Sequence, residues 1–159
     1  MTDPVAIANR YIALWNETDP ARRRALLAQG WAENAAYVDP LAKGEGHEEI
    51  SALIGAVQQR FPGFLFRLAG RADGFADRLR FSWTLGPASE ADMIQGTDFA
   101  VVEDGRLRSV TGFLDKVPAG AAPHRIRAES ELTAGKPSST LIPDARIVRL
   151  AGLAGFFGV

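Results

Sequence analysis

A chain of 159 residues suffices for one domain with a sizeable core and is short for two. Its 18 Lys and Arg against 19 Asp and Glu leave a net charge of -1, which argues against an electrostatic grip on nucleic acid or an anionic membrane. With no cysteine, disulfides, thiolate catalysis and cysteine-ligated metals are excluded.

The start Met1-Thr2-Asp3-Pro4 carries no basic segment followed by an apolar one, and no apolar run reaches bilayer length, so the expected location is the cytoplasm. Asp3-Pro4 is also a helix-start signal, an N-cap followed by proline at the first helical position. Ile7, Tyr11, Leu14 and Trp15 then give one apolar stripe through about Asn16. Asp19-Pro20 repeats the signal for a second helix ending near Gly30, in which the basic run Arg22-Arg23-Arg24 reads as a solvated face. Ala35 to Asp39 predicts a short strand closed by Pro40, and Gly44 to Gly46 a loop. A third helix follows from about Glu48 to Arg60, burying Ile50, Leu53, Ile54 and Val57.

After Pro62-Gly63 the period becomes two. Phe64, Phe66 and Leu68 alternate with Leu65 and Arg67, and Leu79, Phe81, Trp83 and Leu85 alternate with Arg80, Ser82 and Thr84. A strand from about Asp92 to Val102 meets the hairpin turn Glu103-Asp104-Gly105-Arg106, and the last strand runs from Leu107 to about Asp115. Helices first and antiparallel strands after them make an α+β pattern. The expected division is a domain over 1–118 and a Pro/Gly/Ala-rich tail over 119–159 with an apolar end at Phe156-Phe157. That end either adds an edge strand through Arg146 to Leu150, covers a pocket, binds a second subunit or stays a loose terminus.

Three proton-handling groups lie in otherwise apolar segments. Asp39 shares a strand face with Tyr37 and is either a general base at a pocket mouth or the acceptor of an Asp-Pro turn. Asp98 shares a face with Ile94, Gly96, Ala100 and Val102; it is either a buried carboxyl with a raised pKa or an outward Asp paired with arginine. Tyr11 sits one turn before Trp15 on the first helix, where core packing with a satisfied hydroxyl is the usual outcome. His47 and His124 are the only histidines and lack metal-ligand spacing. Gly44-Glu45-Gly46 lacks the third glycine of a dinucleotide fingerprint. Neither a metal nor a cofactor is expected.

Asn9-Arg10-Tyr11, Tyr37-Val38-Asp39-Pro40, Gly46-His47-Glu48-Glu49-Ile50, Gly96-Thr97-Asp98-Phe99 and Val110-Thr111-Gly112-Phe113-Leu114-Asp115 together resemble the nuclear transport factor 2-like superfamily, over residues 4 to about 118. That superfamily includes ketosteroid isomerases and SnoaL-like polyketide cyclases. The resemblance implies a cone-shaped α+β fold in which a strongly curved, mixed but mostly antiparallel sheet wraps around helices. It also implies a base at Asp39 and an oxyanion hole of Tyr11 with Asp98 as a neutral acid.

Two enzymatic schemes follow, both moving a proton next to a carbonyl without a cofactor. In the isomerase-like scheme Asp39 is the base and Tyr11 and Asp98 hold the oxyanion; in the cyclase-like scheme Asp98 is itself the acid/base. Trp15, Phe64, Phe66, Phe81, Trp83 and Phe113 supply apolar walls for a small hydrophobic molecule. The rival is a non-catalytic ligand-binding or association module. A homodimer through the outer sheet face is the expected assembly.

Overall fold

The computed structural model describes residues 3–118. The expected tail over 119–159, its edge strand at Arg146 to Leu150, its apolar end and His124 lie outside the described residues. The helices are α1 (Pro4–Asn16), α2 (Pro20–Gly30) and α3 (Gly46–Arg60), and the strands are β1 (Trp31–Val38), β2 (Lys43–Glu45), β3 (Leu65–Phe75), β4 (Arg78–Gly86), β5 (Ile94–Glu103) and β6 (Arg106–Lys116).

Both start signals act as the sequence suggests. The Asp3 carboxylate accepts from the Val5 amide at 3.0 Å, and Asp19 accepts from Ala21 and Arg22 at 2.8 and 3.1 Å, each ahead of a proline that needs no donor partner. The α1 stripe buries Ile7, Ala8, Tyr11, Leu14 and Trp15. The arginine run is not uniformly solvated. Successive helical residues point in different directions, so the middle one, Arg23, turns inward and is buried. Its guanidinium donates to the Glu17 and Thr18 carbonyls, to Gln58 Oε1 and to Ser51 Oγ, tying the α1–α2 turn to α3.

The six strands form one open sheet in the order β2-β1-β6-β5-β4-β3, parallel only between β1 and β6. Its inner face presents Phe66, Leu79, Phe81, Trp83, Leu85, Ile94, Ala100, Leu107 and Val110 to the core. Register shifts in β3–β4, near the positive-φ Gly70, and in β5–β6 mark where the ladders are interrupted and the sheet bends. At the end of α1, Asn16 bonds both the amide and the carbonyl of Phe66, at 2.8 and 2.9 Å, fixing the helix against β3.

β1 begins four residues earlier than the apolar pattern indicates. The register slips between Trp31 and Ala36, and Glu33 and Asn34 are exposed, so the alternation is broken there. His47 Nε2 lies 3.1 and 3.0 Å from the Trp31 and Ala32 carbonyls, giving this irregular stretch a partner. Lys43–Glu45 is a three-residue edge strand paired with Ala36–Val38, so Gly44 and Glu45 are in a strand rather than the expected loop. The β5–β6 turn has Asp104 and Gly105 at φ 51° and 76°, the mirror-image geometry that Asp-Gly favours. No helix among the described residues is long and apolar enough to cross a membrane.

Candidate active site

Alternation along β5 turns Asp98 inward with Ile94, Gly96 and Ala100, and only 1% of it remains exposed. The outward, arginine-paired alternative therefore does not occur. Asp98 Oδ2 accepts a short hydrogen bond from the Tyr11 hydroxyl, and Oδ1 accepts one from Trp83 Nε1 at 3.0 Å. Trp83 has room to reach that oxygen because Gly96 has no side chain: a Cβ there would stand 2.2 Å from Trp83 Cζ2. Burial pushes the Asp98 carboxyl up to about 6; the Tyr11 and Trp83 hydrogen bonds pull against this, and the neighbouring Asp39 charge adds to it. The Tyr11 phenol is raised well above 10 by burial and then by the Asp98 charge.

Asp39 ends β1 in a different environment. Its Oδ1 accepts from the Leu41 and Ala42 amides, each at 2.7 Å, and its Oδ2 accepts from the Tyr37 hydroxyl at 2.7 Å. The turn-acceptor geometry weighed from the Asp-Pro pair is thus present. Burial and the Asp39 charge raise the Tyr37 phenol well above 10, while its hydrogen bonding with Tyr11 works the other way. Asp39 and Asp98 nevertheless approach each other: a Cβ at Gly112 would meet Asp98 Oδ1 at 3.0 Å, Asp39 Cβ at 3.2 Å and the Tyr37 hydroxyl at 3.6 Å.

The structure brings Trp15, Phe66, Phe81 and Trp83 around these groups. Ring centroids are separated by 4.8 Å for Tyr11–Phe81, 6.0 Å for Tyr11–Trp15, 5.4 Å for Trp15–Tyr37, and 5.2 Å for both Trp15–Phe66 and Phe66–Trp83. Phe64 lies at the margin, half-buried with its ring 5.2 Å from Phe61. Phe113 does not join them. Gly112 faces inward as the partner of Asp98, so its neighbour must face outward, and Phe113 is 52% exposed against Phe99 on the other side of the sheet. Sequence reasoning missed Tyr37 as the donor to Asp39, Trp83 as a donor to Asp98, and the two glycines that make room for them. The inward position of Gly96 and Gly112 on sheet faces of larger residues was the available signal.

Among the described residues no group of three or more His, Cys, Asp or Glu stands where it could hold a metal. A cavity of about 30 Å³ lies beside Tyr11 and Trp31, between α1, α2 and β6. A larger hollow of about 240 Å³ lies at the hairpin end of the sheet, lined by Pro4, Phe75, Arg78 and Gly105 among others and by neither carboxylate of the site.

The described features match proteins already known. A family model for the SnoaL-like domain matches residues 8–110, well over half of the chain. A crystal structure of a candidate isomerase of the SnoaL-like family from Agrobacterium tumefaciens is 49% identical, with 72% of this chain and 99% of that one covered and a TM-score of 0.69. A candidate ketosteroid isomerase from Kribbella flavida is 21% identical over 85% and 90% of the two chains, TM-score 0.54. A candidate polyketide cyclase from Sinorhizobium meliloti is 15% identical over 67% and 93%, TM-score 0.54; these last two are likenesses of fold. No curated protein matches the chain. With the family model spanning most of α1, both other helices, Asp39 and Asp98, and a relative at 49% identity over nearly its whole length, the chain belongs to the SnoaL-like family of the nuclear transport factor 2-like superfamily.

Proposed function

We propose that the protein is a cofactor-independent isomerase or cyclase that moves a proton next to the carbonyl of a small hydrophobic molecule, with Asp98 as the acid/base. The observation that carries this reading is the contrast between the two carboxyl groups. Asp39 accepts three hydrogen bonds that fix it in a turn. Asp98 is enclosed by aromatic rings and pushed up to about 6, so it can hold or release a proton near neutral pH.

Asp98 as carboxylate takes the proton from the carbon beside the carbonyl. As the acid, it returns that proton to another carbon in an isomerisation, or to the oxygen formed on ring closure in a cyclisation. Tyr11 and Trp83 aim the carboxyl group, and Asp39 anchors Tyr37 and supplies a charge that favours the protonated form. The scheme uses the fold of the isomerase and cyclase structures it resembles and needs no cofactor.

Turnover of β,γ-unsaturated ketones and polyketide-like esters tests the reading. Asp98→Asn is expected to lower it by about 10²–10⁴-fold, the usual contribution of a positioned acid/base, and Asp39→Asn by much less. Turnover by Asp98→Asn at the wild-type rate would remove Asp98 from the role. Ligand binding without any turnover would make the chain a binding module.

We extend the proposal to assembly: the outer sheet face pairs with a second copy of the chain. Its support is the exposed pair Phe99 and Phe113, packed edge to face at 5.8 Å.

A further inference from the structure

We infer that the Trp15 indole N–H is the donor that holds the substrate oxygen, an inference that rests on the acid/base reading of Asp98. The donor inventory of the site leads to it. The Tyr11 hydroxyl and Trp83 Nε1 are committed to the two oxygens of Asp98, and the Tyr37 hydroxyl is committed to Asp39. An oxyanion hole built on Tyr11 would have to take that donor away from the acid/base. Trp15 Nε1 is different: it is fully enclosed and has no hydrogen-bond partner.

An indole N–H buried without a partner costs about 1–3 kcal/mol, and native proteins rarely leave one. Here it belongs to a residue only 3% exposed whose ring contacts Tyr11, Tyr37 and Phe66, one helical turn from the phenol that binds Asp98. Phe66 contacts Trp83 in turn, and Trp83 bonds Asp98. The orphan donor and the acid/base therefore stand in one closed circuit of side chains: Tyr11, Trp15, Phe66, Trp83 and Asp98.

The chemistry of that circuit defines the ligand class. An indole N–H donates and never accepts, so it binds an oxygen lone pair, as on a carbonyl, an enol or an enolate. The circuit contains aromatic faces and no cation, which suits a planar, apolar carbonyl compound and not a carboxylate or phosphate. When Asp98 takes the proton from the adjacent carbon, the C–H electron pair becomes the carbon–carbon π bond. The carbonyl π pair moves to oxygen, and that enolate oxygen accepts from Trp15. Return of the proton from Asp98 reverses the shift at the old or the new carbon, with no other reactant required. A donor placed where charge develops stabilises the transition state more than the ground state.

The test uses 2-naphthol, a planar enol-like hydroxyl compound, with naphthalene as the control lacking oxygen. In ¹H–¹⁵N spectra of the wild-type protein, the Trp15 indole signal, assigned with Trp15→Phe, is expected to move on addition of 2-naphthol and not of naphthalene. Trp15→Phe is expected to weaken 2-naphthol about tenfold and naphthalene far less. An indole signal unmoved by 2-naphthol, or moved equally by both compounds, would overturn the inference, as would equal weakening of both by Trp15→Phe. The spectral arm needs no folded variant beyond the assignment. A responsive Trp15 with turnover independent of Asp98 would keep the donor and remove the acid/base; Asp98-dependent turnover with an unresponsive Trp15 would do the reverse.

Discussion

Asp98 and Gly112 stand opposite each other in the β5–β6 pair, and the side chain that Gly112 lacks leaves the room in which the Asp98 carboxyl group and the Asp39 side chain lie close together. Parallel pairing of β1 with β6 sets Val38 against Thr111, which brings Asp39 beside Gly112 from the other side. A β-carbon at that point would lie 3.0 Å from an Asp98 oxygen and 3.2 Å from Asp39 Cβ, so the Asp98 carboxyl group or the Asp39 side chain must shift by a few tenths of an ångström. Gly112→Ala is expected to lower stability by about 1–3 kcal/mol and to reduce turnover, measured by thermal unfolding and by assay. Unchanged values in both would mean that the site tolerates a wider separation than this arrangement implies.

Stability against pH reports on Asp98. Its folded pKa is about 6, above the 3.8 of an unperturbed Asp, so the folded state binds the proton more tightly than the unfolded chain. The sign follows: its contribution is full below about 4 and is lost as pH rises through about 6. The loss amounts to about 3 kcal/mol on an order-of-magnitude basis. The melting temperature of wild type relative to Asp98→Asn is therefore expected to fall between pH 4 and pH 7. A constant difference across that window would refute the raised value.

Two substitutions around Asp98 act with opposite sign. Tyr11→Phe removes a hydrogen bond that pulls the carboxyl down, so the rate limb that requires ionised Asp98 moves to higher pH. Asp39→Asn removes a charge that pushes it up, so the same limb moves to lower pH. Shifts in the same direction, or none, would show that the limb belongs to another group.

Much of the fold was legible because its signals were local. Asp-Pro starts, the 3.6-residue stripe through Tyr11 and Trp15, and the alternation around Phe81 and Trp83 each report on neighbouring residues, and the structure follows them. β2 and the first half of β1 were not legible, because Lys43-Gly44-Glu45 and Ala32-Glu33-Asn34 carry no alternation, and Lys43–Glu45 pairs only through tertiary context. The turn at Ala76-Asp77 was hidden for the same kind of reason: Ala76 takes a φ of 49° without glycine to announce it. At the site, Asp39, Asp98 and Tyr11 stood out as polar groups in apolar segments. Their hydrogen-bond pairing did not, because it depends on which strands are neighbours. Phe113 went to the wrong face for want of one fact, the inward turn of Gly112.

The outer face yields a test of assembly. If Phe99 and Phe113 pair with a second copy of the chain, the double substitution Phe99→Ser and Phe113→Ser converts the sedimenting species to monomer while leaving Asp98 buried on the other face. A wild-type monomer at the same concentration would rule out the dimer.

The central claim is that Asp98 exchanges a proton near neutral pH while Asp39 does not serve as the base. The most direct measurement is a pH titration of the side-chain carboxyl carbons in protein labelled with ¹³C at aspartate, with Asp98→Asn identifying the signal. The expected result is a midpoint for Asp98 near 6 that falls when Asp39 is replaced by Asn. A midpoint in the ordinary carboxylate range, unmoved by Asp39→Asn, would leave Asp98 a permanent anion and contradict the account.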